Sequence, residues 1–248
     1  MSDFVIVIPS RYASMRLPGK PLREINGKTM LEHVHDRARE SAAREVVIAT
    51  DDERIAEAAE GFSGQVCMTG DQHRSGTERI AEVCDLLDWP DETIVVNLQG
   101  DEPAMPAALI DQCAALLDDS SADIATLASP IASQEDFENP NVVKVVVADN
   151  GDAIYFSRAA IPYARASDSD IEPRSLALHH HGIYAYRCGV LRKLVTAPPS
   201  DLEVCEQLEQ LRALALGMTI RVAIPDERPG TGVDTEEDLA AVAQQLAH

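Results

Sequence analysis

The run Phe4-Val-Ile-Val-Ile8, followed by Pro9-Ser-Arg-Tyr-Ala-Ser-Met-Arg-Leu-Pro-Gly-Lys-Pro-Leu-Arg-Glu-Ile-Asn-Gly-Lys28, decides how the rest of the chain is read. Five apolar residues in a row, mostly β-branched, read as a strand buried on both faces. The stretch that follows carries Arg11, Arg16, Lys20, Arg23 and Lys28 against one acid, Glu24. Pro18, Gly19 and Pro21 keep it from becoming a helix and let its backbone close on whatever it holds. A cationic loop at the carboxyl end of a first buried strand is where open α/β sheets bind anions. A solvated basic loop is the competing reading, and the remaining sequence decides between them.

Strand and helix patterns alternate outward from this stretch. Thr29 caps a helix with apolar positions at Met30, Leu31, Val34 and Ala38. Glu45–Asp51 reads as a second buried strand, followed by a helix over Asp52–Glu60. A short strand at Gln65–Met68, a helix over Ser75–Leu87 and the apolar run Thr93–Leu98 complete the first hundred residues. Four alternations of this kind are the mark of βαβ units and a parallel sheet. Beyond them the pattern gives a helix over Pro106–Leu117 and a strand at Asp123–Ala128. A β-hairpin follows, built from Val142–Val147, the turn Asp149-Asn-Gly-Asp152 and Ala153–Phe156. Ala164–Arg174 reads as a surface loop and Leu178–Tyr186 as a further strand. A long helix over Leu202–Leu216 ends at Gly217, and strand Thr219–Ile224 precedes a last helix over Glu236–Ala247 capped by Thr235. Neither G-x-G-x-x-G nor G-x-x-x-x-G-K-[ST] occurs, which excludes the usual dinucleotide and P-loop fingerprints.

The 248 residues carry 42 acids against 21 bases, a net charge of −21. Such a field repels polynucleotide phosphates, so the expectation is no nucleic-acid partner. It makes a local basic cluster more telling, because five of the 21 bases fall in the opening loop. No apolar run reaches the roughly 20 residues of a membrane span, so membrane insertion is not expected. The start of the chain lacks a signal-peptide pattern, and a cytoplasmic location is expected. Cys67, Cys84, Cys113, Cys188 and Cys205 include no C-x-x-C pair and read as buried thiols.

Two carboxylates face the basic loop in prospect. The strand ending Asn97-Leu-Gln-Gly-Asp-Glu-Pro103 brings Asp101 and Glu102 to the same sheet edge, because parallel strands share their carboxyl ends. Pro229-Gly-Thr-Gly-Val-Asp234 sets a second carboxylate after a Gly-rich turn. Each could be a turn residue only. Together they are a candidate site for Mg²⁺, whose preferred ligands are carboxylate, water and phosphate oxygens.

Nine segments in register then resemble a known family: Arg11–Leu22, Asn26-Gly-Lys28, Val47–Asp51, Ser75-Gly-Thr-Glu-Arg79, Gln99-Gly-Asp-Glu-Pro103, Tyr155-Phe-Ser-Arg158, Gly182-Ile-Tyr184, Leu208–Arg212 and Gly230–Thr235. The family is that of the 3-deoxy-manno-octulosonate (Kdo) cytidylyltransferases, or CMP-Kdo synthetases. The resemblance covers nearly the whole chain. It implies a Rossmann-like nucleotidyltransferase fold of GT-A-like type, with a mixed, mostly parallel sheet, helices on both faces and a β-hairpin-containing dimerisation region. On this reading residues 1–248 form one domain, with a nucleotide-binding part at about 1–130 and 219–248 and a sugar-binding and dimerisation part at about 131–218. The implied reaction is CTP + Kdo → CMP-Kdo + pyrophosphate, dependent on Mg²⁺ and run by a homodimer, supplying lipopolysaccharide core assembly.

The family pattern also implies roles. Arg11 and Lys20 bind the triphosphate, Asp101 and Asp234 hold the metal, and Pro9, Ser10, Arg11, Ser75 and Gly76 surround the cytidine. Arg16, Gln99, Arg158, His180, Tyr184, Glu209 and Gln210 bind the sugar. Strand alternation independently puts His180, Gly182 and Tyr184 on one face and His179, His181 and Ile183 on the other, which argues against a three-histidine metal cluster. His181 and Thr69–Arg74 depart from the family pattern. The nearest alternative is a cytidylyltransferase for 8-amino-Kdo or sialic acid. A glycosyltransferase of related fold would show an Asp-x-Asp motif where this chain has Gln99-Gly-Asp-Glu102, and a non-catalytic nucleotide-binding regulator would have no need for both Asp101 and Asp234.

Overall fold

Phe4–Pro9 forms β1, in which Val5 to Ile8 are wholly buried. The computed structural model describes residues 3–13, 17–165 and 171–247. After β1 the chain makes a 3-10 turn at Lys20–Leu22 and a small hairpin of β2 (Glu24–Ile25) and β3 (Lys28–Thr29). Thr29 accepts the Glu32 N–H and starts α1 (Met30–Arg39). Then follow β4 (Glu45–Thr50), α2 (Glu53–Gly61), β5 (Gln65–Met68), α3 (Gly76–Leu86) and β6 (Ile94–Asn97). The middle of the chain supplies α4 (Ala107–Asp118), β7 (Ile124–Pro130), α5 (Gln134–Glu138), β8 (Lys144–Val147) and β9 (Ala153–Ser157). It ends with β10 (Leu178–Arg187), α6 (Cys188–Thr196), α7 (Asp201–Glu206), α8 (Gln210–Ala215), β11 (Ile220–Ala223) and α9 (Glu236–Gln245).

The main path of the sheet runs β11-β7-β10-β6-β1-β4-β5. β4, β1 and β6 pair in parallel, as do β4 with β5 and β7 with β11. Along this path β10 runs against that direction, wedged between β6 and β7. Its first residues also pair with β8, which carries β9 in a hairpin at the side of the sheet. The result is a mixed, mostly parallel Rossmann-like sheet. Alternation along β1 sends Val5 and Val7 to a core shared with α3 and α6, and Phe4, Ile6 and Ile8 to one shared with α1, α2 and α4. A smaller cluster of Leu17, Ile25, Met30, Val233 and Val242 fastens the opening loop to α9. Among the described residues no helix is long and apolar enough to cross a membrane.

The structure departs from the expected elements in several places. The helix expected over Leu202–Leu216 is broken: α7 stops at Glu206, Gln207 takes φ +53°, and α8 starts at Gln210. Arg158 fills the break, its Nε donating to the Glu206 carbonyl at 2.7 Å and its Nη2 to that of Gln207 at 3.3 Å. Helix α6 has no counterpart in the expectation, because it leaves β10 directly with no side-chain cap or turn residue to announce it. Cys205 is exposed, although the other four thiols are buried as expected. The surface loop expected over Ala164–Arg174 lies partly outside the described residues, and its end instead opens a 3-10 turn at Pro173–Leu176.

β10 also carries an irregularity where the histidines lie. His180 pairs with Ala128 and Tyr184 with Thr126, so four steps on β10 match two on β7, and Gly182 takes φ +70° inside the bulge. The excess is an even number of residues, so the facing pattern survives it. The His180 and Tyr184 rings lie 5.1 Å apart, and those of His179 and His181 5.0 Å apart.

Candidate active site

The site forms where β1 and β6 end. The Ser10 N–H donates to the Ala49 carbonyl at 2.8 Å and the Leu98 N–H to that of Val7 at 3.2 Å, so both strands remain in register up to their last turn. The two following loops press together. A Cβ on Gly100 would fall 2.9 Å from Ser10 Oγ and 3.2 Å from the Pro9 carbonyl, so no other residue fits there without displacement. Beside this contact a cleft of about 770 Å³ opens, walled on its other side by the start of α3. Ser75 caps that helix by accepting the Glu78 N–H, and the positive end of α3 faces the cleft.

The tail reaches the same place through Gly230-Thr-Gly232. A side chain at Gly230 would overlap Ala104, and one at Gly232 would meet Glu102 Oε1 at 2.8 Å. With both glycines in place, the Val233 N–H donates to the Asp101 carbonyl at 2.9 Å. Thr235 and Asp238 form a capping box that starts α9. Asp234 is thereby set beside Asp101, and Lys20 reaches between them. Its Nζ donates to Asp101 Oδ2 at 2.7 Å and to Asp234 Oδ1 at 3.0 Å. The Lys20 side chain is only 12% exposed, which strengthens both contacts over those of a surface pair. Glu102 lies under the glycine turn, and burial, with Asp101 beside it, pushes its carboxyl up to about 8.

The cleft gathers Pro9, Ser10, Arg11, Lys20, Ser75, Gly76, Gln99, Asp101 and Asp234. The remaining sugar-side candidates lie along a connected path rather than in that wall. Gln99 donates to Asn97 Oδ1 at 3.3 Å, Asn97 lies opposite Tyr184 across β6 and β10, and Tyr184 packs on His180. His180 contacts Thr126 Oγ1 at 3.2 Å, and burial lowers its pKa to about 3, so it is neutral. It lines a second cavity of about 520 Å³ that shares Asp101 and Asp234 with the first. Glu209 accepts from Ser75 Oγ and Thr77 Oγ1, both at 3.0 Å, and burial raises its pKa. Arg158 is committed to the Glu206, Gln207 and Pro140 carbonyls. Gln210 opens α8 next to Glu209. Arg16 lies outside the described residues.

Among the described residues two buried hydroxyls have no hydrogen-bond partner: Ser10 Oγ in the cleft and Tyr184 Oη on the sugar path. A buried polar group left unpaired costs about 1–3 kcal/mol, which marks both as candidate ligand contacts.

Residue-type reasoning passed over Arg79 and His73. Arg79 is 4% exposed at the base of the cleft, paired with Asp51 at 2.9 Å and also bonded to Thr69. It follows Ser75 by one helical turn, a spacing that could have pointed to it. His73, also in the cleft wall, shares Glu82 Oε2 with the Gly70 N–H at 2.5 and 2.8 Å, which fixes the loop before α3. No group of three or more His, Cys, Asp or Glu able to hold a metal occurs among the described residues.

The arrangement agrees with comparisons to known proteins. A family model described as Cytidylyltransferase matches residues 5–220. A solved structure of CMP:2-keto-3-deoxy-manno-octonic acid synthetase complexed with CTP is 43% identical, covers 99% of both chains and superposes with a TM-score of 0.90. A cytidylyltransferase from Leptospira borgpetersenii serovar Hardjo-bovis is 18% identical over 100% of this chain and 87% of its own, with a TM-score of 0.63. A 4-diphosphocytidyl-2C-methyl-D-erythritol synthase from Anaerococcus prevotii is 15% identical over 99% and 97%, with a TM-score of 0.64. The last two show the fold alone. Taken with the paired carboxylates, the cationic loop and the nine segments in register, these matches establish that the chain belongs to the CMP-Kdo synthetase family of cytidylyltransferases.

Proposed function

We propose that this enzyme transfers CMP from CTP to Kdo, releasing pyrophosphate and activating the sugar for lipopolysaccharide core assembly in the cytoplasm. The observation that carries the reading is the convergence of Lys20, Asp101 and Asp234 at one edge of a cleft of nucleotide size. Support comes from the 43% identical synthetase, solved with CTP, that matches end to end.

In this reading CTP lies with its cytidine against Pro9, Ser10, Arg11, Ser75 and Gly76 and its phosphates toward Arg11 and Lys20. Those fixed cations offset the charge that builds on the departing pyrophosphate. Kdo lies against Gln99, Tyr184, His180, Glu209 and Gln210, with Arg158 and Arg16 assigned to it from the family pattern. Its anomeric oxygen forms the bond to the α-phosphorus as the bond to the β-phosphate oxygen breaks. The protein's part is chiefly to position the two substrates and neutralise charge. Neutral His180 and the unpaired Tyr184 hydroxyl offer hydrogen bonds to an acid sugar rich in hydroxyls.

Asp101 and Asp234 fit a Mg²⁺ site, because they already close on one cation, the Lys20 ammonium, and present the oxygen donors Mg²⁺ prefers. Bound there with phosphate oxygens, Mg²⁺ would neutralise phosphate charge and lower the pKa of the sugar hydroxyl. The enzyme is further proposed to be a homodimer through the β8–β9 region, where Ile154, Tyr163, Ile171 and Leu176 are exposed apolar side chains.

The test is a pyrophosphate-release assay crossing CTP, UTP and ATP with Kdo, 8-amino-Kdo and sialic acid, with Mg²⁺ or a chelator. CTP with Kdo and Mg²⁺ is expected to give the highest turnover. Preference for sialic acid or 8-amino-Kdo would reassign the sugar, and undiminished turnover in chelator would remove the metal. Light scattering is expected to give twice the chain mass, and a monomer would remove the dimer.

A further inference from the structure

We propose that Tyr12 is a positioning residue that packs on Gly19 and so sets where Lys20 stands in the cleft, with Arg54 locking it from outside. The proposal rests on the reading of this cleft as the triphosphate site. The Tyr12 carbonyl accepts the Gly19 N–H at 3.3 Å, which ties the two ends of the loop together. Its half-buried ring continues the contact. Oη, Cζ and Cε2 lie 3.2–3.4 Å from where a Cβ on Gly19 would stand, and Gly19 has φ +66°. Gly19 is thus constrained twice, by a left-handed backbone that favours glycine and by the ring against it. The next residue is Lys20, whose turn is closed by the Leu22 N–H on the Gly19 carbonyl at 2.9 Å. A shift of the ring therefore passes directly to the backbone that carries the Lys20 ammonium.

Arg54 fixes the ring itself. Its guanidinium carbon sits 3.3 Å from the ring centroid, over the face. The guanidinium is held in turn by Asp52, with Nε at 2.9 Å from Oδ1 and Nη2 at 2.6 Å from Oδ2. Asp52 caps α2 by accepting the Arg54 N–H at 3.0 Å, so it does not swing freely. The Asp52–Arg54–Tyr12–Gly19 stack thus joins a rigid helix end to the turn at Gly19 that carries Lys20. The ring edge that faces Gly19 includes Oη, Cζ and Cε2, so the clamp is a packing contact of the whole ring edge.

The experiment is calorimetric titration of CTP with Mg²⁺ into the full-length wild type, Tyr12→Leu, Tyr12→Phe, Arg54→Ala and the Tyr12→Leu/Arg54→Ala double variant, with no sugar present. Thermal unfolding of each is followed in parallel. Arg54→Ala is expected to weaken CTP about threefold, the scale of an exposed cation–π contact. Tyr12→Leu is expected to weaken it about tenfold with little change in thermal midpoint, and the double variant no further, because both act through one stack. Tyr12→Phe is expected to bind as the wild type does. Wild-type affinity in Tyr12→Leu, or an equal loss in Tyr12→Phe, overturns the clamp while leaving the triphosphate assignment standing. A wild type that does not bind CTP overturns both. Arg54→Ala, a change at an exposed side chain, keeps the question answerable should Tyr12→Leu unfold.

Discussion

The two sides of this site are built on opposite plans. On the nucleotide side, the candidate residues stand at the ends of parallel strands and on the loops just beyond, and they line one open cleft. On the sugar side, three candidates are already engaged with the protein, and the Tyr184 hydroxyl is buried with no partner among the described residues. Arg158 is spent on three carbonyls, Glu209 on two hydroxyls and His180 on Thr126. Lys20 is engaged as well, but with Asp101 and Asp234 of the cleft itself. The sugar-side groups must instead give up partners on other elements, so their net gain per hydrogen bond is smaller. The contrast teaches that nucleotide binding should depend on charge and sugar binding on rearrangement. Ser75 connects the two sides, since it caps α3 in the cleft wall and donates to Glu209.

Substitutions can break or sharpen that contrast. The largest effect is expected from Asp101→Asn, which keeps the shape but removes a charge from the proposed metal pair. Pyrophosphate release should fall about 10³-fold, a loss of several kcal/mol in transition-state stabilisation, and near-normal turnover would sink the metal assignment. Lys20→Ala comes next, at about 10²-fold in kcat/KM, the scale of one lost charge-stabilising donor. If only the KM for Kdo moved, Lys20 would belong to the sugar side instead. His180→Ala should raise the KM for Kdo about tenfold, within the range for a polar contact to substrate, and an effect confined to CTP would erase the division between the two sides. The smallest and most discriminating change is Tyr184→Phe. It removes a buried unpaired hydroxyl, so the free protein should gain about 1 kcal/mol in stability while Kdo binding weakens severalfold. Loss of stability in chemical denaturation would show that the hydroxyl is already satisfied in the free protein.

Much of the nucleotide side could be read from the sequence because its signals are local. The buried run Phe4–Ile8, the prolines around Gly19 and the caps Thr29, Ser75 and Thr235 each act within a few residues. The sugar side was harder for a physical reason. The break at Gln207 leaves Leu208 and Leu211 buried where one continuous helix would also put them, so periodicity does not reveal it. What stops the helix is Arg158, about fifty positions earlier in the chain. Likewise, β10 has the alternation of any strand, and nothing local states that it runs antiparallel between β6 and β7. Arg79 escaped because arginine is rarely buried without a partner, and its partner Asp51 lies on another strand end. The roles of Arg158, Glu209, Gln210 and Arg16 came from family resemblance, because no local pattern of residues points to them.

The small core cluster that joins Leu17, Ile25 and Met30 to Val233 and Val242 bears on biogenesis. Lys20 and Asp234 are separated by 214 positions in sequence, and that cluster holds their segments together. Closing so long a loop is slow and entropically costly compared with forming the early βαβ units. During synthesis, the first strands can pair while the chain is still emerging, but the carboxylate pair cannot assemble until α9 has been made and has docked. A nascent chain can therefore hold a nearly complete sheet and still lack a working centre.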